Sequence, residues 1–303
     1  MASKESLRVH HYWTLARQSA MNPQPDDLVT NAQWDVLTAE PRGVDYLEVD
    51  ADGVPALWTV PHGTPEDAPV LLCFHGGGYV GGSMFTHRKM FAHLAKAIGA
   101  RALGFDYTLA FQGGVFPKPI VEGLTAYRWL LGQGVPAERI LFAGDSAGGQ
   151  LAVTVQVRAR SEAVPLPAAA MLISPWTDLE GMGESMDYNE ENDALFVKSW
   201  IHEMAAAFLD GHSPRDPDAA PLHADLTGFG PLYIQVGDQE LLLDDSRNFA
   251  KHAEKAGIDV RLDEFPGQQH TFQMAAGLAP EADDAISRLA AWARPKVGLG
   301  AEE

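Results

Sequence analysis

Residues 141–149 read Leu-Phe-Ala-Gly-Asp-Ser-Ala-Gly-Gly, and this stretch decides the fold. An apolar run ends in a G-x-S-x-G motif, and a segment of helical pattern follows at once. The motif is typical of a sharp turn from a strand into a helix that lifts the hydroxyl of Ser146 above the sheet. The flanking glycines permit that turn. Ser146 is therefore a candidate nucleophile, although a glycine-rich turn before an ordinary helix could carry the same letters.

Short apolar runs and longer stretches of helical period alternate on both sides of the motif. A hairpin is predicted at 44–49 and 54–60, and further strands are predicted at 70–74, 101–106, 139–143, 168–174, 231–236 and 258–265. Helices are predicted at about 86–98, 118–132, 147–160, 245–256 and 282–294. This alternation predicts a mostly parallel sheet with helices on both faces, in which functional residues collect at the carboxyl ends of the strands.

Two regions interrupt the alternation. Residues 1–40 contain helical patterns at 6–20 and 30–38, and residues 178–225 contain another near 197–209. Both regions are too long to be plain connections. No long low-complexity linker is present, so we expect a single α/β domain over residues 1–303, with a cap formed by about 1–40 and 178–225.

Composition limits the partners of the chain. A net charge of −19 over 303 residues argues against nucleic acid and against anionic membranes. No window reaches the ~18 apolar residues of a membrane span, and the N-terminus lacks the apolar core of a signal peptide. The single cysteine, Cys73, excludes an intrachain disulfide. We therefore expect a cytoplasmic protein that acts on a small molecule.

A glycine-rich stretch supplies candidate donors for an oxyanion. His75 and three consecutive glycines follow the predicted strand 70–74 directly. Glycines leave backbone N–H groups unobstructed, so that they can point at a small anion. Together with the first N–H of the helix after Ser146, this predicts an oxyanion hole made by Gly77, Gly78 and Ala147.

The same stretch also fits a nucleotide-binding pattern. Gly76, Gly78 and Gly81 match G-x-G-x-x-G after a strand, and Asp106 stands at the end of the next strand. The predicted helix begins only near Thr86, so the strand–turn–helix that the pattern requires is missing. We therefore disfavour a dinucleotide cofactor.

The base of a serine nucleophile must be a histidine near a strand end. Of the eleven histidines, His270 follows the strand 258–265 and a Pro266-Gly267 turn and precedes the last helix. His202 is followed by a glutamate, but residue 206 is alanine, so the H-E-x-x-H zinc motif is absent. The sequence makes His270 the candidate base and offers no metal motif.

The orienting acid must follow the strand 231–236. Four carboxylates stand there: Asp238, Glu240, Asp244 and Asp245. Asp244 and Asp245 precede a helical run and are predicted to be its N-cap and first-turn acid. Asp238 and Glu240 lie in the loop, and either could hold the imidazole of the base.

These residues together resemble the hormone-sensitive-lipase-like branch of the α/β-hydrolases, the bacterial carboxylesterases. The motifs follow in order over nearly the whole chain: HGGGYVGGS at 75–83, GDSAGG at 144–149, SPWTDL at 174–179, the acid loop at 237–245 and PGQQHTF at 266–272. The resemblance implies an α/β-hydrolase fold with an eight-stranded sheet, a helical cap and no cofactor. It also implies hydrolysis of carboxylic esters with short to medium acyl chains.

The resemblance also bears on single residues. The family's acid loop reads D-x-L-x-D, and in this register Glu240 takes the catalytic place, with Asp238 as its rival. Tyr79 and Trp176 become candidates for the edge of the substrate pocket only through the resemblance. Residues 107–114 depart from the family's usual Y-R-L-A-P-E, which leaves the shape of that loop open.

Two other functions fit the same residues. A lactonase would use the same chemistry on a cyclic ester. A ligand-binding protein could have the same fold, but such a protein would usually lack one of the three catalytic residues. Serine, acid and histidine are all present here. The last predicted strand, 258–265, should be an exposed sheet edge, which favours pairing between two copies of the chain in a homodimer.

Overall fold

The computed structural model describes residues 2–22 and 31–300, and its centre is one sheet. The strands are β1 (Val44–Ala51), β2 (Val54–Pro61), β3 (Val70–Phe74), β4 (Arg101–Phe105), β5 (Ile140–Asp145), β6 (Ala169–Ile173), β7 (Leu232–Gly237) and β8 (Val260–Phe265). Their order across the sheet is β1-β2-β4-β3-β5-β6-β7-β8. Each of these strands lies within two residues of its predicted boundaries.

The sheet is mostly parallel, as predicted. β1 and β2 form an antiparallel hairpin, β2 pairs antiparallel with β4, and the pairings from β4 through β3 to β8 are all parallel. The hairpin turns at Asp52 and Gly53, whose φ angles of 57° and 89° match the right-handed twist of the flanking strands. Every residue of β3, β5, β6 and β7 is buried, as expected for strands covered on both faces.

Helices cover both faces of the sheet. The α-helices are α1 (Leu7–Met21), α2 (Met84–Ile98), α3 (Lys118–Gly132), α4 (Ala147–Ser161), α5 (Ser185–Tyr188), α6 (Lys198–Leu209), α7 (Leu243–Lys255) and α8 (Pro280–Ala293). α2 and α8 pack on one face, where Leu71 and Cys73 of β3 point. α3, α4 and α7 pack on the other, against Leu72 and Phe74. Among the described residues, no helix combines the length and apolar character that crossing a bilayer requires.

Local sequence explains where α2 and α7 begin. α2 begins two residues before its prediction, because Ser83 and Thr86 cap it reciprocally. α7 begins at Leu243, so the prediction of Asp244 as N-cap is wrong: Asp244 and Asp245 both lie in the first turn. Asp245 points inward, and one of its oxygens accepts hydrogen bonds of 2.8 Å from two backbone N–H groups.

The two interrupting regions approach the carboxyl ends of the strands. In the first, α1 is followed by a 3₁₀ turn at Asn31–Leu37, where a helix was predicted over 30–38; residues 1 and 23–30 lie outside the described part of the chain. Trp13 of α1 donates from its indole N–H to the backbone oxygen of His270, at 3.0 Å. In the second region, Phe208 of α6 stacks on Tyr79 with a ring-centroid distance of 3.8 Å.

Candidate active site

Ser146 occupies the sharp turn that the motif predicts, between β5 and α4. Its φ of 54° and ψ of −123° are unusual for a residue with a side chain, and such strain persists only where neighbours enforce it. The backbone N–H of Ser146 donates to the backbone oxygen of Ile173 at 2.9 Å. The backbone oxygen of Ser146 accepts from the backbone N–H of Trp176 at 3.1 Å. A Cβ on Gly148 would lie 2.0 Å from the Phe74 oxygen, so only glycine fits there.

His270 and Glu240 form a buried pair. Nδ1 of His270 lies 2.5 Å from Oε2 of Glu240, and both side chains are at most 2% exposed. The other carboxylate oxygen of Glu240 accepts from the Ser174 hydroxyl at 2.7 Å and from the Gly237 N–H at 2.8 Å. Three donors thus hold the glutamate, and the loop accommodates its extra methylene.

Asp238 takes a different place. Its carboxylate accepts a hydrogen bond from the Gly267 N–H at 2.7 Å and another from the Gln239 side chain. It thereby ties the acid loop to the Pro-Gly turn before His270. Of the two carboxylates that the loop sequence left open, Glu240 is the one in contact with the imidazole.

Charge around His270 favours its protonated form. Burial alone would lower its pKa, because a buried imidazolium loses hydration. The charge and hydrogen bond of Glu240 outweigh burial, Asp193 and Asp145 act in the same direction, and the pKa of His270 is raised above its ordinary value. The site is therefore arranged to stabilise an imidazolium.

Ser146 and His270 line the same small cavity. Its volume is about 20 Å³, enough for about one water molecule. Its other lining residues are Trp13, Trp34, Gly77, His87, Asp145, Leu195, Phe196, Thr271 and Met274. The structure thus brings the predicted serine and histidine to one small cavity, with the glutamate behind the histidine.

The predicted donors of the oxyanion hole carry free N–H groups. Within residues 2–22 and 31–300, the backbone N–H groups of Gly77, Gly78 and Ala147 donate to no protein acceptor. Gly77 and Gly78 have φ angles of 121° and 61°, and a Cβ on Gly77 would lie 2.1 Å from the Gly81 backbone oxygen. The turn at the glycines therefore requires residues without side chains.

Tyr79 and Trp176 support the site from behind. Tyr79 is fully buried, and its hydroxyl donates to the Ala147 oxygen at 3.3 Å. Trp176 is 1% exposed, and its indole N–H has no hydrogen-bond partner in the described part of the chain. Neither side chain is among the described residues that line the cavity with Ser146, because both are packed into the neighbouring core.

A polar cluster lies beside the cavity and has no signature in the sequence. His87 of α2 lies 3.2 Å from one carboxylate oxygen of Asp145, whose other oxygen accepts from the Gly76 N–H at 3.1 Å. His75 stacks on Tyr107 at 4.1 Å, and burial, followed by the charge of His87, lowers the pKa of His75 to about 3. His87 lies inside a helical pattern, which gives no sign of a contact with Asp145. The one available clue is that His87 lies one helical turn after Ser83, close to the glycine loop in the chain.

One group of described residues has the spacing of a metal site, away from Ser146. Ligand atoms of Asp178, Glu180 and His223 lie within 4.8 Å of one another. Glu180 already pairs with Arg215 at 2.6 Å, and the carboxylate of Asp178 accepts two backbone N–H groups. These ligands are engaged within the protein.

A mostly parallel eight-stranded sheet with a serine on the turn after β5 and a histidine–carboxylate pair beyond β7 and β8 defines a serine hydrolase. A family model described as the alpha/beta hydrolase fold matches residues 71–274. The chain belongs to this family, and within it to the hormone-sensitive-lipase-like esterases.

Known proteins agree with this assignment. An acetyl-hydrolase from Streptomyces hygroscopicus is 39% identical, covering 86% of this chain and 91% of that protein. An esterase from Acinetobacter venetianus is 34% identical, covering 74% of both. The crystal structure of an esterase from the bacterial hormone-sensitive lipase family is 39% identical, has a TM-score of 0.90, and covers 98% of this chain and all of that one. The protein is a carboxylic ester hydrolase.

Proposed function

We propose that Ser146, His270 and Glu240 form the catalytic triad of this esterase. The Ser146 hydroxyl attacks the ester carbonyl while Nε2 of His270 accepts its proton. Glu240 holds the imidazole through Nδ1 and stabilises the imidazolium as it forms. His270 then protonates the departing alcohol, and a water molecule hydrolyses the acyl-enzyme by the same route.

The N–H groups of Gly77, Gly78 and Ala147 complete the proposed machinery. The negative charge that develops on the carbonyl oxygen needs donors that are already oriented. Free N–H groups at a glycine turn and at the first residue of α4 supply them. Loss of one such donor typically costs about 3 kcal/mol of transition-state stabilisation.

The observation that carries this proposal is the 2.5 Å contact between His270 and Glu240 behind a cavity that Ser146 and His270 share. The test is turnover of p-nitrophenyl acetate by Ser146→Ala, with Ser213→Ala on the exposed tail of the second region as a matched control. We expect a loss of at least about 10⁴-fold for the first and none for the second. Wild-type turnover by Ser146→Ala would contradict the proposal.

We further propose that residues 1–40 and 178–225 act as one cap over a single domain, and that the cap limits the acyl group. Trp13, Trp34, Leu195 and Phe196 from these regions enclose a cavity of only about 20 Å³. Any acyl group needs a shift of these side chains, and the shortest acyl groups need the smallest shift. The similar Streptomyces protein is an acetyl-hydrolase, which supports a preference for short acyl groups.

The substrate preference has a direct test. On a series of p-nitrophenyl esters, kcat/KM should be highest for acetyl to butyryl and should fall with longer chains. Linear esters and lactones of matched size, assayed side by side, distinguish an esterase from a lactonase. A preference for long acyl chains would contradict the proposed cap.

Tyr79 and Trp176 stay proposals as substrate contacts. The unpartnered indole N–H of Trp176 supports a polar contact with a bound ester, reached only if the cap moves. A cytoplasmic location also stays a proposal, supported by the single, buried and unpaired Cys73.

A further inference from the structure

The segment 189–196, between α5 and α6, touches the loop that carries Glu240. The side-chain amide of Asn189 donates to the backbone oxygens of Asp238 and Glu240, at 3.0 and 2.9 Å. Asn189 is 3% exposed, so these hydrogen bonds are shielded from water. They fix the main chain at Asp238 and at Glu240, on either side of Gln239.

The same segment touches the loop that carries His270. The side-chain amide of Gln269 donates to the Asn192 oxygen at 2.9 Å, and its oxygen accepts from the Ala194 N–H at 2.8 Å. Residues 189–196 therefore bridge the two loops that hold the acid and the base of the proposed triad.

Asp193 lies at the centre of this bridge. Its side chain is buried, with 1% of the residue exposed. One carboxylate oxygen accepts from the N–H groups of Leu195 and Phe196, each at 2.8 Å, and the other accepts from the Leu241 N–H at 2.8 Å. Burying a carboxylate is costly even when it is hydrogen-bonded, so a purely structural link could be made more cheaply by a neutral side chain.

Each of these contacts leads to the triad. Leu241 follows Glu240 directly in the chain. Phe196 packs its ring edge-on against the imidazole of His270, with a centroid distance of 5.0 Å. The charge of Asp193 also acts on His270 in the direction that favours the imidazolium.

We propose that Asp193 is a positioning residue for the triad. One carboxylate fixes the main chain beside Glu240 and the aromatic ring that packs on His270, and its negative charge stabilises the imidazolium that forms when Ser146 attacks. The proposal rests on the proposed function and adds to it a second carboxylate, supplied by the region between α5 and α6.

The predicted pH effect follows from the charges around His270. Glu240, Asp193 and Asp145 are the carboxylates that act on it, and all three favour its protonated form. The Asp193 carboxylate accepts from three backbone N–H groups, and the Arg17 guanidinium donates to the Asp193 backbone oxygen at 2.9 Å. Burial raises the pKa of Asp193, and the charge of His270 and the three N–H donors act against that rise. Removing the charge of Asp193 therefore lowers the pH at which His270 becomes a neutral base.

The test compares Asp193→Asn with wild type on p-nitrophenyl acetate. We expect kcat to fall about tenfold with KM within twofold, because Asp193 is not among the described residues that line the cavity at Ser146. The acidic limb of the kcat/KM profile should move to lower pH. In combination with Glu240→Gln, the loss should be smaller than the product of the two single losses, because both residues act on one imidazole. Asp187→Asn, at an exposed position of α5 where the carboxylate pairs only with Lys198, is the matched control and should match wild type.

Several outcomes would overturn the proposal. One is an unchanged kcat in Asp193→Asn. Another is a fall in kcat without movement of the acidic limb, because that result would indicate a structural role alone. If Asp193→Asn does not fold, Asp193→Ser leaves room for water at the freed N–H groups and is measured instead; if neither folds, Asp193 is a folding residue and the proposal fails. An inactive Ser146→Ala beside a wild-type-like Asp193→Asn rejects only the positioning role, whereas an active Ser146→Ala rejects the triad itself.

Discussion

At the scale of single residues, Glu240 decides how the site works. Glu240→Gln keeps the size of the side chain but removes its charge and its fixed acceptor for Nδ1 of His270. We expect kcat on p-nitrophenyl acetate to fall by about 10³-fold or more, as is typical when a triad loses its acid. The raised pKa of His270 should fall too, so the acidic limb of the residual activity should lie at lower pH than in wild type.

Asp238→Asn is the control for this prediction. An asparagine oxygen can still accept from the Gly267 N–H, so activity should stay within a few-fold of wild type. A collapse of activity in Asp238→Asn together with near-normal activity in Glu240→Gln would reverse the assignment of the acid.

His75 predicts an acid sensitivity of the fold. Its pKa is about 3 in the folded protein, against about 6.5 in an unfolded chain. Because the folded pKa is lowered, the unfolded state binds the proton first, and stability is lost as pH falls from 6.5 toward 3. The slope from one such group is at most about 1.4 kcal/mol per pH unit.

Urea unfolding at pH 7, 5.5 and 4.5 measures this slope. His75→Gln, which cannot titrate, should lose less stability than wild type over that range, whatever its stability at pH 7. Exposed His62→Gln is the control and should follow wild type. Parallel losses in wild type and His75→Gln would show that His75 does not drive the acid sensitivity.

Residue patterns identified the serine and the histidine but left the acid open. Ser146 and His270 each stand at a strand end with distinctive neighbours. Asp238 and Glu240 share one loop, and only the conformation of that loop, set by contacts from Ser174 and Asn189, decides which carboxylate meets the imidazole. A bond between residues 66 positions apart, such as that from Ser174 to Glu240, leaves no local pattern.

At the scale of elements, the turn between β5 and α4 depends on close backbone approach. Gly148→Ala would place a methyl group 2.0 Å from the Phe74 oxygen, which is backbone and cannot move aside. We expect a loss of several kcal/mol of stability, or no soluble protein, because overpacking a rigid site is costly.

Gly132→Ala is the matched control. Gly132 ends α3, and a Cβ there meets nothing within 4 Å. Alanine should therefore be neutral or stabilising by up to about 1 kcal/mol. Thermal unfolding of the two variants compares them directly, and equal melting temperatures would contradict the close packing of the turn.

Element positions were largely predictable, and the exceptions have physical causes. Strands buried on both faces read as continuous apolar runs, and the main helices carry a clear apolar face. The start of α7 was misplaced because Asp244 and Asp245, typical capping residues by type, bind backbone groups of a distant segment instead. Side-chain partners far along the chain overrode a local preference.

At the scale of the whole molecule, two regions outside the alternating sheet and helices shape the site. Trp13 from α1 and Phe196 from the segment before α6 both contact His270. Sequence could place these regions only as a cap, because the shape of the cavity arises where distant segments meet. The helical patterns in these regions predict their helices, but they do not specify which side chains reach His270.

The exposed edge of the sheet predicts assembly. β8 lies at one end of the strand order, and its residues are mostly half-buried. We propose that two copies pair through this strand in a homodimer. Light scattering after size-exclusion chromatography should give twice the 32.8 kDa chain mass. Glu264→Pro should give a monomer, because in the β7–β8 register the N–H of Glu264 faces the free edge of the sheet. A wild-type monomer at micromolar concentration would reject the pairing.

The central claim, that Ser146 is the nucleophile activated by His270, is tested most directly by mapping a fluorophosphonate adduct by peptide mass spectrometry. We predict one adduct, on Ser146, in folded wild type, and none after heat denaturation or in His270→Ala. An adduct on another residue, or equal labelling of folded and denatured protein, would contradict it.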